Sequence, residues 1–377
     1  MGPDGAERPA STPPAQRSVT RTVTRIVEVV PAPLRIALAS LIVIALGLLA
    51  VAAVEALRVR AVERRRRVLA ADIGLLQSAL APVIPPRIGA TDVSAAYRPA
   101  AGPAAGGDFF DAFPVGAGRT AILVGDVAGH GRDAVPLTAS VRYTVRAYLE
   151  AGLEPRVALQ LAGEVLGPQL RGRMVTVVAA IHDPAAGSLT YAAAGHPPPV
   201  IVGADEAAVL VAASAPLGAG VSTGHRQSTI ALAPGAAACF YTDGLMDLRR
   251  NGARLGFEGA AERLHELVPD ADARAVLAGL TASGERRIDD MALVIVRSCA
   301  AGGSSTPAVE RVEELEVVQA DLGERIERFL AACGVADDAA RTVLEDLQPG
   351  VVLRVCGGNA EVLEPAPAGG VLARRSR

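Results

Sequence analysis

An α+β fold with antiparallel sheets, preceded by one transmembrane helix, is what this 377-residue sequence predicts. Three observations carry that reading. Strand-like apolar runs come in pairs joined by short turns, helical runs gather in blocks between them, and the run from Ile36 to Val54 carries no charge. Half of the residues are hydrophobic but only 3% are aromatic, with no Trp, so the core is built from Ala, Val and Leu. The net charge of −3 excludes a strongly basic nucleic-acid binder and an acidic disordered chain. All 37 basic residues are arginine. Cys239, Cys299, Cys333 and Cys356 are too far apart for a C-x-x-C pair, which argues against a structural zinc site or disulfide framework.

Residues 1–33 read as a disordered arm, with Pro3, Pro9, Pro13, Pro14, Pro31 and Pro33 among small and polar residues. Residues 34–54 form the transmembrane helix. A core helix would show a polar face, and a signal peptide lacks so long a lead-in. Arg58, Arg60, Arg64, Arg65, Arg66 and Arg67 crowd the downstream flank, whereas Arg17, Arg21, Arg25 and Arg35 are spread upstream. That bias orients the chain as a single-pass cell-membrane protein with its C-terminal part in the cytoplasm. Residues 55–84 form a linker helix. Val59, Arg66, Ile73 and Leu80 occupy one heptad position, and Val62, Leu69 and Leu76 the other. The pattern allows a homodimeric coiled coil through residues 55–80 or an amphipathic helix packed on its own domain. Pro82, Pro85 and Pro86 end it.

From residue 85 to 298 the pattern is that of one mixed domain. Strands are expected at Thr91–Arg98, Phe109–Val115, Thr120–Val127, Val175–His182, Leu189–Ala194, Pro199–Val202, Ala208–Val211, Thr229–Leu232, Ala237–Tyr241 and Met291–Val296. Helices are expected at Arg132–Glu150, Pro155–Leu170, Leu245–Arg250, Gly259–Val268 and Ala271–Ala282. Turn chemistry such as D-P-A-A-G-S after His182 separates the strands.

Aspartates fall at the ends of these strands. They are Asp108 and Asp111 in G-G-D-F-F-D, Asp126 in G-D-V-A-G-H-G, Asp243 in Y-T-D-G, and Asp289 and Asp290 in I-D-D-M. Any one of them alone reads as a turn former or helix cap. Several carboxylates beside Gly, with no His or Cys cluster, form the donor set of hard divalent cations such as Mg²⁺ or Mn²⁺. Two such cations sharing a carboxylate bind phosphate and activate water.

These stretches also carry a family resemblance. L-L-Q-S-A-L-A-P at Leu75, G-G-D-F-F-D at Gly106 and G-D-V-A-G-H-G at Gly125 come first. M-V-T-V-V-A-A-I-H-D-P at Met174, L-T-Y-A-A-A-G-H-P-P-P at Leu189, Y-T-D-G-L at Tyr241 and D-D-M-A-L-V-I-V at Asp289 follow in order. From Leu75 to Arg297 the chain resembles PPM-type protein serine/threonine phosphatases, in the SpoIIE-like branch that works in partner-switching stress regulation. The resemblance implies a sandwich of two antiparallel sheets flanked by helices, with two divalent cations, Mn²⁺ or Mg²⁺, at one edge. It implies that Asp126 bridges the cations, that the carbonyl of Val127 binds one, and that Asp108, Asp243 and Asp289 complete the ligand set. Asp290 would support a coordinated water. The implied reaction is direct hydrolysis of phosphoserine or phosphothreonine without a covalent intermediate. The implied substrate is a phosphorylated regulatory protein, a STAS-type anti-sigma-factor antagonist.

The position two after the bridging aspartate, where animal relatives carry a His, is Ala128. His130 lies two further on, out of register, and no general acid is assigned. Arg98 either contacts phosphate or is an ordinary strand-end arginine. His196, in A-G-H-P-P-P, reads as structural.

Residues 299–310 form a Ser/Ala/Gly linker and residues 311–377 a small C-terminal segment of unassigned role. Within it, a strand at Leu315–Val318, helices at Asp321–Cys333 and Asp337–Leu347, and a hairpin around C-G-G-N are expected. It faintly resembles the opening of an anti-sigma-factor kinase module, but lacks the Asn-containing helix and glycine boxes that grip ATP. Retention of the aspartates favours an active enzyme over a non-catalytic phosphoprotein-binding module. The near-neutral charge argues against a two-metal nuclease and against nucleic-acid partners.

Overall fold

The computed structural model describes residues 31–80, 82–99, 107–129, 134–203, 214–250, 252–282, 289–299, 309–318, 323–345, 347–364 and 373–374. It divides into two compact units, Met1–Arg65 and Arg66–Arg377. In the first, helix α1 (Ala32–Leu80) begins two residues before the expected start and runs on into the second unit. Its Ala32–Arg64 portion contains an 18-residue stretch with a mean hydropathy of 2.8 that buries nothing, so it is long and apolar enough to cross a membrane. Side chains of residues 65–80 lie outside the described set, and with them most of the heptad seam.

The second unit is built on two antiparallel sheets. The smaller has the order β1-β2-β12-β9-β7, from Arg87–Ile88, Thr91–Arg98, Met291–Ser298, Ala237–Tyr241 and Val200–Val202. The larger has the order β16-β15-β14-β13-β8-β6-β5-β4-β3. Its strands are β3 (Asp108–Val115), β4 (Arg119–Val127), β5 (Val175–Asp183), β6 (Ser188–Ala194), β8 (Arg226–Ala231), β13 (Val312–Glu316), β14 (Val352–Cys356), β15 (Asn359–Glu364) and β16 (Ala373–Arg374).

Alternation along the strands sorts side chains into layers. Phe110, Ile122, Val124 and Val178 meet Phe240, Val294 and Val296 between the sheets. Their neighbours Phe109, Leu123 and Val177 point outward onto α2 (Val135–Glu150) and α3 (Pro155–Leu170), where Val141, Val145 and Leu159 cover them. On the opposite outer face, Cys239, Leu293 and Ile295 pack under Leu264 of α4 (Gly256–Leu267) and Leu277 of α5 (Ala273–Ala282). Both sheets are thus covered on two faces, which is why their strands read as nearly continuous apolar runs.

Two histidines staple the sheets. Thr91 on β2 and His182 on β5 share a 2.8 Å hydrogen bond, and Thr120 donates to Thr91 at 3.0 Å. At His196, Nε2 donates to the carbonyl of Tyr241 at 3.0 Å while Nδ1 accepts from the Thr176 hydroxyl at 2.9 Å. Burial pushes both imidazoles down to about 4, so they are neutral at pH 7.

Two expectations need correction. Leu245–Arg250 is not helical: a 3-10 turn at Asp243–Leu245 is followed by a hairpin of β10 (Arg249–Arg250) and β11 (Ala253–Arg254). The Asn-Gly pair at positions 251–252 is a hairpin signal, and Gly252 takes φ +84. The helix expected from Arg132 begins at Val135 among the described residues. The strand expected at Ala208–Val211 lies outside them.

The C-terminal segment is part of the larger sheet. β13 pairs antiparallel with β8 and β14, in register Val312↔Thr229 and Val312↔Cys356. Helices α6 (Glu324–Ala332) and α7 (Asp337–Glu345) cover it, with Ile326, Phe329 and Leu330 buried against Leu315, Leu353 and Val355.

Candidate active site

Antiparallel pairing brings the aspartates to one end of the sandwich. Asp108 opens β3 and lies directly opposite Asp126 near the end of β4. β9 ends at Tyr241 opposite Leu293 of β12, so Asp243, just after β9, and Asp289 and Asp290, just before β12, meet at one end of that sheet. Thr242 bridges the two sheets there. Its Oγ1 donates to Asp108 Oδ2 at 2.7 Å and accepts from the backbone N–H of Ala292 at 2.9 Å.

Two glycines allow this approach. A Cβ on Gly107 would lie 2.1 Å from Asp126 Oδ1 and 2.8 Å from the Val127 carbonyl oxygen. A Cβ on Gly244 would lie 1.7 Å from the backbone oxygen of Asp290. Neither position accepts a side chain without displacing the acidic loops. Val127 itself is fully buried, with its N–H bonded to the Gly107 carbonyl at 3.1 Å.

Electrostatics mark the same residues. Burial, then repulsion from Asp243, Asp289 and Asp290, pushes the Asp126 carboxyl up to about 7. Burial and the Asp126 charge push Asp108 well above the carboxylate range, despite the Thr242 hydrogen bond. Asp243 is raised by burial and by Asp289. Asp289 is exposed, and its Oδ1 accepts from the backbone N–H of Asp290 at 2.8 Å. Asp290 is 3% exposed and accepts from the Tyr97 hydroxyl at 3.0 Å.

The donors are thus all oxygens and repel one another, which fits a hard divalent cation. Among the described residues no three His, Cys, Asp or Glu side chains close into a ready-made cage.

Two other residues singled out by the sequence, Arg98 and Asp111, have structural partners. Arg98 donates to the Leu277 carbonyl of α5 at 3.0 Å. His130 lies outside the described residues. Asp111 sits further along β3 and pairs with Arg146 at 3.1 Å, a structural role. Sequence reasoning missed Thr242, although it directly precedes Asp243. It also missed Tyr97, which nothing in the local pattern marks, since the contact joins residues 193 apart.

This sandwich of two antiparallel sheets flanked by helices has the PPM phosphatase-like fold. Residues 116–298 match the family model for Stage II sporulation protein E (SpoIIE). Among solved structures, the SiaA-PP2C domain of Pseudomonas aeruginosa is similar at 22% identity and TM-score 0.50, over 61% of this chain and 94% of that one. The RsbU and RsbW domains of Rv1364c from Mycobacterium tuberculosis align at 24% identity and TM-score 0.48, over 74% of this chain and 86% of that one. The phosphatase domain of SpoIIE from Bacillus subtilis, with a fragment of its regulatory domain, aligns at 19% identity and TM-score 0.46, over 55% and 61%.

Proposed function

We propose that this protein is a membrane-anchored, metal-dependent protein serine/threonine phosphatase acting on a phosphorylated regulatory protein, a STAS-type anti-sigma-factor antagonist. The observation that carries the reading is the convergence of Asp108, Asp126, Asp243 and Asp289 at one end of the sandwich, where each is placed by a strand end. Asp126, the Val127 carbonyl, Asp108, Asp243 and Asp289 are the residues that would hold the cations. Asp290, held by Tyr97, orients a water.

When bound, Mn²⁺ or Mg²⁺ supplies Lewis-acid charge that activates water and neutralises the phosphoryl oxygens. The chain's own part is to hold the carboxylates rigidly. Thr242 fixes Asp108, and His196 ties β5 to the residue preceding Thr242. The catalytic domain lies in the cytoplasm, on the arginine-rich side of α1. A homodimer through residues 55–80 belongs to the same reading.

The test is phosphate release from a phosphoserine protein by the full-length chain in detergent micelles, with Mn²⁺ and with chelator. Mn²⁺-dependent release supports the reading. Tight binding of the phosphoprotein without release would instead support a non-catalytic binding module. The full chain is the right material, because a fragment ending at residue 298 would strip β13 from β8 and open a sheet edge.

A further inference from the structure

The hairpin β10–β11 belongs to neither large sheet, and all four of its strand residues are exposed. Arg249, Arg250 and Arg254 are three of the four. Arg249 lies directly opposite Arg254 in the register, a like-charge pair that costs stability unless opposite charge is supplied. Asp247 meets Arg254, and the Arg249 Nη1 donates to the Gly252 carbonyl at 3.1 Å. Arg250, opposite Ala253 in the register, adds a third exposed arginine to the hairpin.

The root of this hairpin is fixed to the acidic site. Leu245 and Leu248 are fully buried. The N–H of Leu255 bonds to the Leu248 carbonyl at 2.9 Å, and that of Gly256 to the Met246 carbonyl at 3.0 Å. The hairpin therefore stands on the segment that begins at Asp243. A concentrated positive charge thus borders a concentrated negative one.

A phosphoprotein approaching the aspartates is itself anionic, and its charge is repelled until cations neutralise the site. A basic arm at the rim attracts acidic side chains flanking the phosphate while leaving the phosphate to the site. We propose that the Arg249–Arg254 hairpin is a docking arm selecting phosphoserine segments with acidic residues beside the phosphoserine. The selectivity rests on the phosphatase reading above; the charge recognition does not.

The experiment uses the full-length chain in neutral phosphatidylcholine nanodiscs with Mn²⁺. Its probes are a phosphoserine peptide flanked by Glu, the same peptide flanked by Gln, and p-nitrophenyl phosphate. Two exposed charge pairs are worth about tenfold in kcat/KM for the Glu-flanked peptide over the Gln-flanked one at low salt. Raising the ionic strength should shrink that preference. Arg249→Glu with Arg250→Glu should abolish or invert it, Arg249→Gln with Arg250→Gln should reduce it, and both should leave p-nitrophenyl phosphate hydrolysis within about twofold because they act through long-range charge.

Absence of preference in the wild type, or its persistence in the Glu variant, overturns the proposal. So does an effect of the substitutions confined to nanodiscs containing phosphatidylserine, which would assign the arm to the lipid surface. Fluorescence-anisotropy binding of the two peptides in chelator is read in parallel. A protein that hydrolyses nothing yet binds the Glu-flanked peptide more tightly, through Arg249 and Arg250, keeps the arm and overturns the phosphatase reading. Hydrolysis with no flank preference does the reverse.

Discussion

Two groups of acidic residues sit on the same sandwich and are treated in opposite ways. On β13, each glutamate that faces the sheet has partners. Glu313 is bonded by Ser228 and pairs with Arg311, Glu314 accepts from Gln227 and pairs with Arg354, and Glu316 pairs with Arg156 at 2.8 Å. His225 adds to Glu316, whose carboxyl is held below its ordinary range. At the other group, no ion pair joins Asp108, Asp126, Asp243 or Asp289 to an arginine among the described residues, and Asp108, Asp126 and Asp243 are pushed up. The first group is built to hold two segments together. The second is held in place against its own repulsion, which supports the proposed cation site.

The largest effect expected from this contrast is at Asp126. Asp126→Asn should lower Mn²⁺-dependent phosphate release about a thousandfold, the scale of losing a principal charge-stabilising group. The same change should stabilise the metal-free protein at pH 8 by about 1–3 kcal/mol, since it removes a buried, repelled carboxylate. Phosphate assays and urea unfolding in chelator check both halves. A variant that loses activity and stability together would place Asp126 among the structural acids.

Glu316→Ala should do the opposite. It strands the Arg156 guanidinium, whose side chain is 9% exposed, and should cost about 3 kcal/mol in urea unfolding while leaving the Mn²⁺ requirement unchanged. A shifted Mn²⁺ requirement would blur the distinction between the two groups.

The pH dependence separates them further. The folded Asp126 carboxyl, at about 7, holds a proton that the unfolded chain releases near the ordinary value of 3.8. In chelator its contribution therefore favours the fold as pH falls below 7, and is lost as pH rises through 7. Glu316 has the reverse sign: its lowered value contributes stability above 4.5 that is lost as pH falls through its folded value. Unfolding series in chelator should show declining stability from pH 6 to 8 in the wild type, and a flatter profile in Asp126→Asn.

The smallest effect concerns Thr242→Val. It removes the donor to Asp108 and the acceptor for the Ala292 N–H, at about 1–2 kcal/mol. With Asp108 less well held, the half-saturating Mn²⁺ concentration should rise a few-fold, as read from an activity titration.

Much of this architecture was legible in the sequence, for identifiable reasons. Thr91–Arg98, Pro155–Leu170 and Ala237–Tyr241 match their expected bounds because turn residues or prolines punctuate both ends. Strand ends beside Gly revealed the aspartates, since close approach of the loops demands Gly107 and Gly244. The hairpin at Arg249 was misread because the apolar spacing of Leu245 and Leu248 imitates a helical face, although both side chains anchor a turn. The joining of β13 to β8 was not legible at all. Edge pairing depends on backbone groups, and the Ser228–Glu313 contact spans 85 positions.

The most direct test is calorimetric titration of Mn²⁺ into chelator-stripped full-length protein near pH 6.5, repeated in two buffers of different ionisation enthalpy. The account predicts saturable binding with proton release, because the raised Asp126 and Asp108 carboxyls must ionise to take up the metal, and loss of both in Asp126→Asn. Absence of saturable binding, or binding that Asp126→Asn leaves unchanged, would contradict it.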